Sequence, residues 1–174
     1  MSIPSVKVLL SLLSLPLLLA GQDQELAILA NSSRPATKSD VVGVWEMPYQ
    51  HISAEAKTTG EAQARFQVFA FYEDGSVKRL TATKRISPEE RLLLLSVVPE
   101  MGTWEMIGEG RIVIRRAALD VDNIRAAIVE RSFQDPFLTQ APPYREGDLV
   151  LTYLDLERKP VITRLLRRAA EDGT

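Results

Sequence analysis

The chain has no cysteine. This excludes a disulfide framework, a thiolate nucleophile and any cysteine-ligated zinc or iron–sulfur centre, so stability must rest on packing alone. Histidine is nearly absent as well: His51 is the single one, which excludes a metal site built from several imidazoles. No nucleophile elbow and no glycine-rich phosphate loop occurs in the chain. No motif here specifies a catalytic centre, a metal or a cofactor. Charge of one sign is also missing. The formal net charge of −2 gives no strong field toward nucleic acid or an anionic membrane.

What is present is an average globular composition, 45 % apolar and 25 % charged over 174 residues, enough for one domain with one core. The amino terminus stands apart. Lys7 precedes an uncharged apolar run from Val8 to Ala20, broken by Pro16 and ended by Gly21-Gln22-Asp23. That run is shorter than the roughly 20 residues a membrane span needs. Residues 1–21 therefore read as a cleaved signal peptide. Leu18-Leu19-Ala20-Gly21 resembles a bacterial lipobox, but Gln22 stands where the lipidated cysteine would be, which implies export without a lipid anchor. The expected location is the bacterial periplasm or the exterior. Residues 22–40, rich in Ser, Ala and Thr around Pro35, read as a flexible linker, and residues 169–174 as a tail.

From Val41 the pattern is that of short strands. Val41 to Met47 is β-branched and bounded by Pro48. Tyr49 to Gln63 lacks a sustained period and reads as a long loop holding His51. Arg65 to Tyr72 and Val77 to Thr83 flank Asp74-Gly75, the dipeptide of a tight hairpin with positive backbone φ angles. Ser87-Pro88-Glu89-Glu90 has the form of a helix N-terminus and predicts one short helix near 88–98. Its leucines, Leu92 to Leu95, cannot all face one side, so it serves either as a lid over the core or as an exposed docking surface. Gly102 to Ile107 and Arg111 to Arg115 form a second hairpin with Ile112 and Ile114 inward. Ile124 to Arg131 is predicted as a strand by its position. Gln134 to Gly147 is irregular, and Leu149 to Leu154 with Val161 to Leu166 make a third hairpin. The fold class is mainly β, an antiparallel up-and-down meander that escapes open edges by closing into a small barrel.

Gly43-x-Trp45, Phe71 to Gly75, Gly102-Thr103-Trp104, Leu149-x-Leu151 and Thr163-Arg164 together resemble the small bacterial lipocalin-like domains of the calycin type, over residues 41–168. The resemblance implies a barrel closed at one end by Trp45 under an arginine of a late strand, Arg164 or else Arg167. It implies a cavity lined by the aromatics Trp45, Phe66, Phe69, Phe71, Trp104 and Tyr153 together with Val68, Ile112, Ile114 and Leu151. The expected role is binding of a small apolar ligand or of a protein partner, without catalysis. The alternative is a small-barrel enzyme using His51 or inward carboxylates among Glu46, Glu105 and Glu130.

The signal reading has a direct test. Mass spectrometry of protein recovered from an exporting bacterium is expected to show an amino terminus near Gln22; an intact terminus carrying Lys7 would refute it.

Overall fold

The computed structural model describes residues 28–53, 66–117, 120–136, 138 and 140–169. The proposed signal peptide, most of the 49–63 segment and the last five residues lie outside them. Nine strands form one antiparallel sheet: β1 (Ser33–Pro35), β2 (Gly43–Ile52), β3 (Phe66–Phe71), β4 (Ser76–Ala82), β5 (Gly102–Gly108), β6 (Arg111–Ala117), β7 (Asp120–Val129), β8 (Leu149–Leu154) and β9 (Pro160–Arg168). From β2 to β9 each strand pairs with the next, and β9 returns to pair with β2. The result is an eight-stranded antiparallel meander closed into a barrel, as the strand pattern predicts. β1 adds to β7 through Ser33↔Val129 and Pro35↔Ala127, the part of β7 that β6 no longer covers.

Order therefore starts before Val41. The segment expected to be a linker contains a helical turn over 28–32, β1, and the short helix α1 (Lys38–Val41). The sequence hides this because each piece is too short to show a period. Thr37 and Asp40 make a reciprocal capping box on α1. Arg34 grips Asp40 with two hydrogen bonds of 2.7 and 2.9 Å, and those bonds hold the Asp40 carboxyl far below the ordinary carboxylate range.

The turn between β3 and β4 departs from the expected two-residue form. Gly75 alone of the pair has positive φ, at 87°, while Asp74 keeps a negative one and accepts hydrogen bonds from the Ser76 backbone and hydroxyl. Tyr72 and Ser76 close the loop around three residues, the hairpin form in which a turn is followed by a left-handed glycine.

β2 runs on to Ile52 and carries a bulge between Glu46 and Tyr49. Pro48 sits within it, where the missing backbone N–H breaks no ladder bond. The extra residue reverses the alternation: Trp45 and Met47 face the barrel interior, whereas Tyr49 packs on the outer wall with Val129, Val150 and Leu165. His51 follows Tyr49 outward and is exposed on a strand, not held in a loop.

The helix predicted near 88–98 is α2 (Pro88–Val97), capped by the Ser87 hydroxyl, which accepts from the Glu90 backbone N–H. It is neither plug nor lid over the interior. Leu95 and Ile86 pack on Val68, Ala70 and Leu80, the outer face of β3 and β4. Lys78 ties it down by donating to the Leu95 carbonyl at 2.9 Å. Leu92, Leu93 and Val97 are left 64 to 70 % exposed. Among the described residues β4 pairs with β5 only at Ser76↔Thr103 and Val77↔Gly102, and the two strands part beyond Val77.

The lower end of the barrel is sealed. Trp45, 1 % exposed, donates from its indole N–H to the Val41 carbonyl at 2.8 Å. The guanidinium lying over it belongs to Arg168, 4.4 Å from the ring centre, and not to Arg164 or Arg167 as expected. Strand register decides this, since Trp45 pairs directly with Arg168. Arg168 also donates to the carbonyls of Val42 at 2.8 Å and Asp40 at 3.2 Å, tying the end of α1 to β9. Gly43 has φ 135°, and a Cβ there would strike the Arg168 guanidinium. Gly43→Ala is thus expected to cost about 2 kcal/mol or more from backbone strain and collision together, measured by chemical denaturation. A loss below about 0.5 kcal/mol would contradict this reading of the seal.

Candidate functional site

The interior is built in two layers. In the lower one, Trp45, Phe71, Val77, Trp104, Ile114, Leu149 and Leu166 pack as one apolar cluster that continues through Phe69, Ile112, Ile124 and Leu151. Phe71 meets Trp104 edge to face at 5.5 Å, and the Trp104 indole donates to the Tyr72 carbonyl at 3.0 Å. Of the residues expected to line a cavity, Trp45, Phe69, Phe71, Trp104, Ile112, Ile114, Leu151 and Tyr153 share this interior. Val68 does not: it lies on the outer wall under α2, and Phe66, two positions away, shares its face. With both faces of β3 apolar, only the neighbouring elements decide which face is the inside.

The upper layer is polar, which the sequence reading missed. Arg164, 5 % exposed, faces inward between Ile162 and Leu166 on β9. Its guanidinium lies 4.6 Å from the Tyr153 ring centre and 5.2 Å from that of Phe69, and it donates to the Tyr153 hydroxyl at 2.8 Å. Cation–π contacts of this kind contribute about 0.5 to 2 kcal/mol each. They do not replace a counter-charge. No carboxylate contacts Arg164 among the described residues, and its Nε has no hydrogen-bond partner there.

Around Tyr153 stand further charges. Asp122, one position out of phase with the outward Val121 and Asn123, binds Arg116 at 2.6 Å, and Asp120 approaches the same guanidinium at 3.3 Å. Arg79 shares the inward face of β4 with Val77, and its charge acts on the Tyr153 hydroxyl together with those of Arg164 and Asp122. The signal for this layer was in the alternation: Arg164 is two residues from Leu166, Asp122 two from Ile124, Arg79 two from Val77. Each was masked by the ordinary expectation that charged strand residues point to water.

The glutamates considered for acid–base chemistry are all outside. Glu46 pairs with Arg91 at 2.6 Å and Arg85 at 3.2 Å, Glu105 with Arg115 at 2.6 Å, and Glu130 with Arg34 at 3.5 Å. They do not meet one another or His51. Each is held as a structural ion pair on the wall. Among the described residues no group of three potential metal ligands comes together, and no helix is long and apolar enough to cross a membrane.

No known family, curated protein or solved structure matches this chain. The class it belongs to is defined by its own geometry: a closed, eight-stranded antiparallel meander barrel with one added strand, an arrangement consistent with a lipocalin-like fold.

Burial pushes the Tyr153 phenol above its ordinary value, opposed by the neighbouring Arg164 charge. Because the folded value is raised, the neutral phenol's contribution to stability is whole below about pH 10, where the unfolded chain ionises, and is lost as pH rises toward the folded value. Comparing wild type with Tyr153→Phe by ultraviolet absorbance titration should show one tyrosine that ionises only with alkaline unfolding. Its ionisation in the native protein near pH 10 would contradict the described burial.

Proposed function

We propose that this is an exported, lipocalin-like binding protein, not an enzyme, which takes a small, largely apolar molecule through the upper end of its barrel. The observation that carries the reading is the contrast between the two ends. Below, Gly43, Trp45, Arg168 and α1 make a seal in which polar groups are satisfied and aromatic rings are packed. Above, the inward positions pass from packed aromatics to polar side chains and then to the exposed Thr81. Folded proteins keep polar groups off an apolar interior unless something uses them, and few convergent polar groups over an apolar floor is the common form of a small-molecule site. The parting of β4 from β5 beyond Val77, among the described residues, supports a place where the wall can admit a ligand. The signal segment, with Gln22 in place of a lipidated cysteine, supports a location in the periplasm or outside the cell.

A second reading has its own observation. Leu92, Leu93 and Val97 form an exposed apolar face on α2, suited to a protein partner.

An uncharged, environment-sensitive dye such as Nile red should bind wild type with a rise in fluorescence. Thr81→Trp, at an exposed position on the inward face of β4, should weaken that binding at least tenfold without lowering the melting temperature. Phe69→Arg should abolish it. Absence of dye binding by folded wild type, or equal binding by Thr81→Trp, would overturn the interior site and leave the α2 face.

A further inference from the structure

We propose that Arg111, Arg125 and Arg158 form a binding site for a phosphate monoester on the outer wall of the barrel. The site lies apart from the interior and does not depend on the barrel taking a ligand.

Strand register sets two like charges against each other. Arg111 on β6 and Arg125 on β7 are direct partners in the ladder, and both are exposed while their neighbours Ile112 and Ile124 are buried. Side chains so paired have Cβ atoms about 5 Å apart, and like charges at that distance destabilise a sheet. Other outward arginines of the wall have an acid: Arg115 meets Glu105 at 2.6 Å, Arg85 meets Glu46 at 3.2 Å and Arg167 meets Asp148 at 2.8 Å. Among the described residues no ion pair or side-chain hydrogen bond engages Arg111 or Arg125.

The β8–β9 turn brings a third cation to the same place. Arg158, Arg111 and Arg125 together line one cavity of 340 Å³, with Asn123, Ile107 and Leu156. Among the described residues Arg158 is the one non-glycine with positive φ, at 64°, a conformation that glycine or asparagine adopts more readily. Strained residues of this kind concentrate where ligands bind. Its neighbour Lys159 is held by Glu157 at 2.8 Å, whereas the Arg158 guanidinium has no such partner among the described residues. Asp155 also lines the cavity, but its Oδ1 accepts from the backbone N–H groups of Glu157 and Lys159 at 2.9 and 2.8 Å and so shapes the turn.

Three guanidinium groups around one cavity favour an anion of more than one charge. A carboxylate offsets one of them; a phosphate monoester carries about −1.5 to −2 at neutral pH and presents three oxygens to the guanidinium forks. Asn123 adds a neutral amide donor. The organic part of the ester has apolar surface to meet. Ile107 and Leu156 are 47 and 102 % exposed, and Arg111 and Arg125 also border a second cavity of 570 Å³ with Leu29, Ala127 and Val150. Glu109 lines that second cavity but makes no ion pair with either arginine among the described residues.

The test uses the full mature chain with butyl phosphate, inorganic phosphate and pentanoate, titrated by calorimetry. Butyl phosphate should bind at least tenfold tighter than pentanoate and more tightly than inorganic phosphate, and at saturation should raise the melting temperature by at least about 2 °C. Arg111→Gln and Arg125→Gln should each weaken it at least fivefold, yet melt no lower than wild type without ligand, because each relieves the opposed charges. Arg158→Gly, which also relieves the backbone, should melt at or above wild type and bind at least threefold more weakly. Thr81→Trp, at the interior, should leave butyl phosphate binding within twofold. Vesicles of phosphatidylcholine, with and without phosphatidic acid, separate the two sources of such a group. Sedimentation with the phosphatidic acid vesicles that is lost in Leu156→Ser supports the site with a lipid headgroup as its ligand; binding of butyl phosphate without sedimentation supports it with a soluble ester. No butyl phosphate binding by folded wild type, pentanoate binding as tight, or binding unchanged when Arg111→Gln and Arg125→Gln are combined overturns the site and leaves the interior reading standing. Inorganic phosphate binding as tightly as butyl phosphate refutes the ester. Binding weakened by Thr81→Trp as much as by Arg125→Gln moves the ligand to the interior and refutes the outer site.

Discussion

The stack of Arg168 on Trp45 is the constraint on which the remaining architecture depends. A meander of eight strands has two edges, and the barrel exists only because β9 comes back to β2. At the lower end of that seam one guanidinium covers an indole and takes two carbonyls from the end of α1, joining the last strand, the first barrel strand and the segment before it. Gly43 is required by the same contact, since no side chain can share the space. Arg34 and Asp40 extend the link to β1, which lies on β7 across the barrel. Closure is thus fixed by packing and charge-assisted hydrogen bonds, consistent with a chain that has no cysteine to staple it.

Three arginines of β9 show how one strand serves three purposes through alternation and through height in the barrel. Arg168 faces inward at the sealed end. Arg167 faces outward, clamps the buried Asp148 and donates to the Pro143 carbonyl, tying both to β9; nearby in the chain Phe133 and Tyr144 stack at 4.5 Å. Arg164 faces inward at mid-barrel, among aromatic rings and with no acid against it among the described residues. The same residue type is a structural cap, a surface clamp and a buried charge held by a hydroxyl and two aromatic faces. The difference is one to four positions along a single strand.

The outer wall explains why the inside could be misjudged from the sequence. β3 is apolar on both faces because α2 covers one of them, so Val68 and Phe66 look as much like lining residues as Phe69 and Phe71. β2 misleads in the opposite way. Its bulge at Pro48 shifts the inward set by one residue, which sends Tyr49 and His51 outside and leaves His51 far from any chemistry.

By itself the sequence determined most of the eight barrel strands, the hairpins, the capped helix and the closed meander, though not β1 or the second half of β2, because alternation, turn glycines and the Ser-Pro cap act over a few neighbouring residues. It also singled out Trp45 as the end-capping residue. Tertiary structure alone decided which arginine lies over that indole, which face of β3 is the interior, that α2 rests outside the wall, and that Arg164 and Tyr153 meet in the core. The first depends on register across a seam joining residues more than a hundred positions apart, and the others on which element covers each face of a strand, and none of these has a local signature.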